Sequence, residues 1–281
     1  MSLIEAAALA GAVIFYVLAF GSYFAALVWQ SKKLSGYAFW LLAVGFAGQT
    51  ISMTSRAIAI WHLPVFGTFE NALAGSWFIV LAALLVYKRT PWLDRVALFI
   101  PPMAIGIIIF GAKFNRSKIP LTISERSLWV DMHATIAWLS YSSFTLAFVV
   151  AVLVLIKARN PQGRAAAGLP DVDILDDWLL KYVIYGFVAL ALTLATGAYY
   201  DFVTSSRWWR WDPIEIVTLM SFLLYALFIH LKRSFGWSGN RLAWLAVFSM
   251  VTVVAAYWLM IYWPPGTTFH VFDIDTRVHF R

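Results

Sequence analysis

The chain has 281 residues, of which 62% are hydrophobic and 12% are charged. Its mean hydropathy of +0.78 is far above that of soluble domains, so the composition excludes an ordinary globular protein and predicts one embedded in a lipid bilayer. The absence of cysteine excludes disulfides and a thiolate nucleophile. The formal charge of +7 comes from basic residues scattered over short loops, which argues against nucleic acid as a partner.

Eight apolar runs of roughly 20 residues follow one another along the chain, each long enough to cross a hydrocarbon core of about 30 Å. They cover approximately residues 4–29, 37–59, 70–87, 95–112, 129–156, 179–203, 213–231 and 242–263. We therefore predict an all-α polytopic membrane protein with about eight transmembrane helices, forming a single domain over residues 1–281. The first run has no basic segment before it and no cleavage site, so we interpret it as a retained helix rather than a signal peptide.

The distribution of basic residues predicts the orientation of these spans. An even number of spans puts both termini on one side, and cytoplasmic loops attract Lys and Arg. The connections after the odd-numbered spans carry twelve of the 21 basic residues. We therefore predict a multi-pass protein of the inner (cytoplasmic) membrane with both termini external. The longest polar connector, roughly residues 158–178, is then cytoplasmic.

The most unusual segment is a tryptophan-rich loop region, about residues 197–215, around the connection between the sixth and seventh spans. Its centre reads Arg207, Trp208, Trp209, Arg210, Trp211 and Asp212. The predicted topology puts this tryptophan loop on the external face. Three indoles there indicate a surface for a flat aromatic ligand, although tryptophans at a membrane boundary also form interfacial belts.

Histidine is the residue left for metal chemistry, and the chain has five. The predicted spans place His62, His133 and His270 on the external side and His279 near the C-terminus. His230 follows the start of the seventh span by 17 residues, which is about 26 Å further into the membrane at helical rise. His230 therefore cannot share a metal centre with the external histidines.

The external histidines flank the tryptophan loop. Two imidazoles there permit one bis-histidine haem with His133 and His270 as axial ligands, and His230 is then an inner ligand without a partner in this chain. Without a C-x-x-C-H motif, the chain cannot bind haem covalently as a c-type cytochrome does. Each histidine is alternatively a polar residue at the membrane interface. Arg56, also at membrane depth, is either functional or reaches to the interface.

The tryptophan loop resembles the WWD motif of haem-handling membrane proteins, most closely that of the CcsA (ResC) cytochrome c assembly proteins. The family loop runs approximately G-A-x-W-A-x-x-x-W-G-x-Y-W-x-W-D-P-K-E. The matching residues are Gly197, Ala198, Trp209, Trp211, Asp212, Pro213 and Glu215, without a gap. Further matches follow in the family order, namely Arg56 with His62-Leu63-Pro64 and Phe69-Glu70, Trp129 to Tyr141, Tyr225 to His230, and Phe269-His270.

This resemblance implies a role in cytochrome c maturation. Such a protein holds non-covalent haem b on the external face, supported by the WWD loop, and presents it for attachment to the C-x-x-C-H thiols of an apocytochrome c. By the resemblance, His133 and His270 would ligate the external haem. His230 would ligate a haem within the membrane together with a CcsB (ResB)-like partner. We expect Arg56, Arg207 or Arg210 to contact the haem propionates. The resemblance also places Glu70, the three tryptophans and Asp212 among the haem-binding residues.

The loop also departs from the family pattern. Tyr200 and Asp201 stand in place of W-A, Ser205 and Ser206 in place of W-G, Ile214 in place of Lys, Ile216 in place of Thr, and Gly67 in place of the Asn that precedes Y-E. The departures remove part of the aromatic platform, while Arg207 and Arg210 add cations. They leave two alternatives open: a haem-bearing electron-transfer subunit of a respiratory complex, paired with a multihaem cytochrome, or a haem exporter whose partner forms the thioether bonds.

Overall fold

A computed structural model describes residues 1–87, 92–114, 116–117 and 127–262 of the chain. The described residues form helices joined by short turns, which confirms the predicted all-α class. In chain order the helices are α1 (Leu3–Trp29), α2 (Lys32–Ile60), α3 (Thr68–Tyr87), α4 (Leu93–Ala97), α5 (Ile100–Gly111), α6 (Leu128–Arg159), α7 (Val172–Ser205), α8 (Pro213–Phe235) and α9 (Gly239–Tyr262). Eight helical segments of the described chain are long and apolar enough to cross a membrane, as predicted.

Helices α4 and α5 together make the fourth span, Asp94–Gly111, with a short break at Leu98 and Phe99. The break comes from the two prolines, Pro101 and Pro102, at the start of α5. Proline has no backbone N–H, so it is accommodated in the first turn of a helix but cannot bond back to a preceding turn. A single apolar run therefore folds as two helices.

Helix α7 begins at Val172, several residues before the apolar run that predicted it. Asp171 occupies its N-cap position and Asp173 lies in its first turn. The positive end of the helix dipole stabilises carboxylates at these positions. The connector between α6 and α7 is consequently residues 160–171, shorter than the predicted 158–178. Hydropathy identified the membrane-embedded part of the helix and missed its polar extension.

The helices pack mainly as antiparallel neighbours: α1 lies along α2 and α6 along α7, while α3 contacts α5 and α6, and α9 contacts α6 and α8. Gly186 permits the close approach of α7 to α6, because a Cβ there would lie 2.4 Å from Cε1 of Phe144. The Phe144 ring in turn stacks on Tyr225 of α8, with centroids 3.6 Å apart and planes within 2°. These contacts fix the relative positions of α6, α7 and α8, the three helices that carry the candidate site.

The bundle has two ends, and we call the one where α7 joins α8 the WWD end. The N-terminus, the connection from α2 to α3, and the start of α6 lie at this end, because the spans alternate in direction. At the opposite end, Arg95 donates to the carbonyl of Ala167 (2.7 Å) and the buried Asp176 accepts from the N–H of Gly239 (2.7 Å).

Candidate functional site

The link between α7 and α8 lies within two residues of the gap between the predicted spans 179–203 and 213–231. Helix α7 continues to Ser205, and Ser206 caps it in the left-handed region (φ 58°), donating its N–H to the carbonyl of Phe202. The WWD segment, about residues 197–215, therefore includes the last turns of α7 and the start of α8. Nothing between Gly197 and Ser205 interrupts the helical hydrogen bonds. The loop proper is residues 206–212.

Two acidic residues at the start of α8 hold the backbone of this link. Asp212 is the N-cap and accepts from the N–H of Ile214 (2.9 Å). The Oε2 atom of Glu215 accepts from the N–H groups of Asp212 (3.1 Å) and Arg210 (3.0 Å). Trp211, between them, adopts a positive φ of 57°. Such a conformation is unfavourable for a bulky residue, so these hydrogen bonds hold the turn in place.

The three tryptophans of the link have different surroundings. Trp208 stacks on Phe202 of α7, with centroids 4.4 Å apart and planes within 12°. Trp209 and Trp211 meet edge to face at 6.0 Å, and the indole N–H of Trp209 is buried without a hydrogen-bond partner among the described residues. Trp211 is 69% exposed. The predicted platform therefore consists of one ring anchored on α7 and a Trp209–Trp211 pair with an open face.

His133 lies in the second turn of α6 and its imidazole rests against α7. Its Nδ1 atom is 3.0 Å from the carbonyl oxygen of Thr193. A Cβ at Gly197 would lie 2.8 Å from Cε1 of His133, so the glycine leaves room for the ring. Because a carbonyl oxygen only accepts, Nδ1 donates this hydrogen bond. Neither α7 contact was evident from the sequence, although a glycine inside a helical pattern often marks a close approach.

The other two histidines predicted to be external are His62, which does not contact α7 in any described bond, and His270. His62 follows the end of α2 at the WWD end, with Nδ1 2.7 Å from the carbonyl oxygen of Leu63 and its ring edge-on to Phe66. His270 lies outside the described residues, so its pairing with His133 stays a prediction.

His230 lies on the last turns of α8, at the opposite end of the bundle from His133. Its side chain is exposed, with Nδ1 3.3 Å from the hydroxyl of Ser234 and the ring edge-on to Phe235. Nearby, the Nζ atom of Lys232 lies 3.5 Å from Oδ2 of Asp176. The structure thus separates His230 from the histidines of the WWD end, as its position on the helix predicted.

Arg56 is 1% exposed and is held by two carboxylates. Its Nη1 lies 2.9 Å from Glu5 and its Nε lies 2.7 Å from Glu70. The guanidinium also donates to the carbonyls of Arg116 and Ser117 at 3.2–3.3 Å. All three nitrogens are therefore occupied, and contact with a propionate requires these bonds to open. Arg56 and Glu70 thus connect helices α1, α2 and α3 to the segment that follows α5.

Glu5 is a member of this cluster that motif reasoning missed. A signal for it was present, because an acidic residue inside an apolar span requires a buried cation. The other two predicted cations differ from Arg56. Arg207 is exposed, and Arg210 lies in the link with its Nη2 3.2 Å from Asp201 on α7.

The chain resembles known proteins over most of its length. The family model described as Cytochrome C assembly protein matches residues 65–267. The chain is 28% identical over 276 residues to the cytochrome c biogenesis protein CcsA of Prochlorococcus marinus subsp. pastoris, covering 88% of this chain and 87% of that one. It is 26% identical over 247 residues to CcsA of Synechococcus sp. (strain WH7803), covering 73% and 77%.

A solved structure has a similar fold. The cytochrome c haem lyase CcmF superposes with a TM-score of 0.69 at 14% sequence identity, covering 91% of this chain. The chain spans about half of that protein's length, 46%. At this identity the likeness shows the fold alone.

Proposed function

The chain belongs to the cytochrome c assembly protein family and acts in cytochrome c maturation, and we propose that its part is to hold haem at the WWD end and present it to apocytochrome c. Haem is the substrate in this reaction, and its vinyl groups are the carbons to which the C-x-x-C-H thiols add. The protein contributes position: it ligates the iron, orients the macrocycle, and leaves one edge accessible to the thiols.

The observation that carries this proposal is the position of His133 against α7. The carbonyl of Thr193 accepts from Nδ1 and orients the imidazole, and a backbone carbonyl is a common partner of the ring nitrogen that does not bind the metal. Along α7, Gly197 precedes the cap Ser206 by about 13 Å at helical rise. That length is comparable with the width of a porphyrin. A macrocycle ligated at His133 would therefore be large enough to reach the tryptophans of the link.

The link supplies the second part of the proposed site. Trp209 and Trp211 offer aromatic surface to the porphyrin, and the carboxylates of Asp212 and Glu215 keep the turn in one conformation. A platform on a pre-organised turn loses little conformational entropy on binding. We propose His270 as the second axial ligand and the WWD end as the external face of the inner membrane, with both termini external.

The opposite end of the bundle suits a second, partner-dependent haem. His230 is exposed on α8, so an imidazole from another subunit can approach the same iron. We propose a CcsB-like membrane protein as that subunit. The isolated chain then carries non-covalent haem b at the external site, and a second haem forms within the membrane when the partner is present.

Co-expression tests the proposal. The chain, an apocytochrome c and a CcsB-like partner are produced in a host that lacks its own assembly system, and covalent haem on the cytochrome is measured. We expect covalent product with the wild type and its loss with His133→Ala. His62→Ala is the matched control, because His62 lies at the same end but bonds to Leu63 rather than to α7.

Three other results would contradict the proposal. Unchanged product with His133→Ala would remove that residue from the site. Stably bound, redox-active haem with no covalent product would instead indicate an electron-transfer subunit. Covalent product formed by the partner alone when haem is supplied externally would indicate a haem exporter.

A further inference from the structure

The side chain of Asp201 forms an ion pair that is not evident from the sequence. Its Oδ1 atom lies 3.2 Å from Nη2 of Arg210, and the two side chains are only 15% and 13% exposed. Asp201 lies in the last turns of α7 and Arg210 lies in the link, so the pair ties the link to the helix before it. Asp201 stands where the resembled motif has alanine, which makes this tie a property of this chain.

Carboxyl groups outnumber cations around the pair. The carboxyl of Glu215 accepts the backbone N–H of Arg210 at 3.0 Å, and the carboxyl of Asp212 caps α8. Like charges repel, and partial burial strengthens the repulsion because water and salt screen it less. A further anion can therefore bind at Arg210 only when one of the resident carboxylates gives way.

Asp201 is the carboxylate that can leave without disturbing the turn. Glu215 and Asp212 accept backbone N–H groups of the link, so their loss would release its conformation. The described ion pair of the Asp201 carboxyl is to the side chain of Arg210. Removing Asp201 from Arg210 thus opens this ion pair and leaves the backbone of the link held by Glu215 and Asp212.

We propose that Asp201 is a resident counter-ion that occupies Arg210 until a carboxylate of the porphyrin replaces it. This inference rests on the proposed function, in which the incoming carboxylate is a haem propionate. Exchanging one carboxylate for another keeps a charge-assisted pair on the guanidinium in both states. Asp201 thereby lowers the affinity for haem, which suits a protein that must hand its ligand on rather than retain it.

Binding of haemin and of haemin dimethyl ester to the purified full chain tests the exchange. The ester keeps the iron and the macrocycle but lacks the free carboxylates. For Asp201→Asn we expect roughly tenfold tighter haemin binding, the size of one partly buried charge interaction, with unchanged ester binding. Arg210→Gln should weaken haemin binding alone. The double variant should equal Arg210→Gln, since Asp201 acts through the arginine.

Asp173→Asn is the matched control, because it makes the same change at the other end of α7 and should leave both affinities unaltered. Ester binding also reports whether each variant keeps an intact site. Unchanged or weaker haemin binding by Asp201→Asn, or equal changes for haemin and ester, would overturn the exchange. The proposed haem site is tested separately with the ester. If His133→Ala does not change the iron spectrum of the ester complex, the proposed haem site is wrong, whatever the result for Asp201.

Discussion

Gly197→Ala is the substitution that tests the geometry around His133 most directly. The added Cβ would lie 2.8 Å from Cε1 and 3.1 Å from Nδ1 of the imidazole. Ordinary contact begins at 3.4 Å, so the ring must move by about 0.6 Å. The movement strains the 3.0 Å bond to the carbonyl of Thr193.

The effect on stability should be small, because two terms oppose each other. Alanine is favoured over glycine in a helix by up to about 1 kcal/mol, whereas overpacking costs about 1–3 kcal/mol. The effect on haem binding should be larger. An imidazole displaced by about 0.6 Å no longer meets the iron in its best geometry, so we expect haem affinity to fall roughly tenfold. Gly197→Ala therefore separates function from folding.

The measurements are haem content, the absorption spectrum of the bound haem and the Tm in detergent. Gly21→Ala is the matched control, because a Cβ at Gly21 has nothing within 4 Å. We expect the control to bind haem as the wild type does, and Gly197→Ala to bind it weakly with an altered spectrum. Wild-type affinity and spectrum in Gly197→Ala would refute the assignment of His133 as a ligand packed on α7.

Three further substitutions probe the rest of the structure. Arg56→Gln leaves the carboxylates of Glu5 and Glu70 buried without their cation, so it should destabilise the fold by about 3–5 kcal/mol, measured as a lower Tm. The control Arg159→Gln, at an exposed position, should leave the Tm unchanged. Equal Tm values for the two variants would contradict the structural role of Arg56. Glu215→Gln weakens the bonds that hold the link, so trypsin should cut at Arg207 faster than in the wild type; an unchanged rate would show that the turn does not depend on the carboxylate. His230→Ala should leave the haem of the isolated chain intact and abolish the haem gained on adding the partner, and a gain that persists would exclude His230 as its ligand.

Hydropathy predicted the helices well because the membrane imposes a simple length requirement. Every span needs about 20 apolar residues, so eight such runs predict eight crossings whatever their packing. Because successive spans alternate in direction, His133 and the tryptophan link lie at the same end of the bundle. The rise along α8 then puts His230 at the other end. The boundaries failed where polar residues continue a helix, as at the start of α7, which begins at Val172 rather than near residue 179.

The sequence alone determined the fold class, the number of spans and the end at which His62, His133 and His230 lie. Only the tertiary structure decided that Arg56 is bound by Glu5 and Glu70, that His133 packs on Gly197, and that Asp201 holds Arg210. These contacts join residues of different helices, or of a helix and the link that follows it, and the faces that meet depend on the rotation of each helix about its axis. Where nearly every face of a helix is apolar, hydrophobic periodicity carries little information about that rotation.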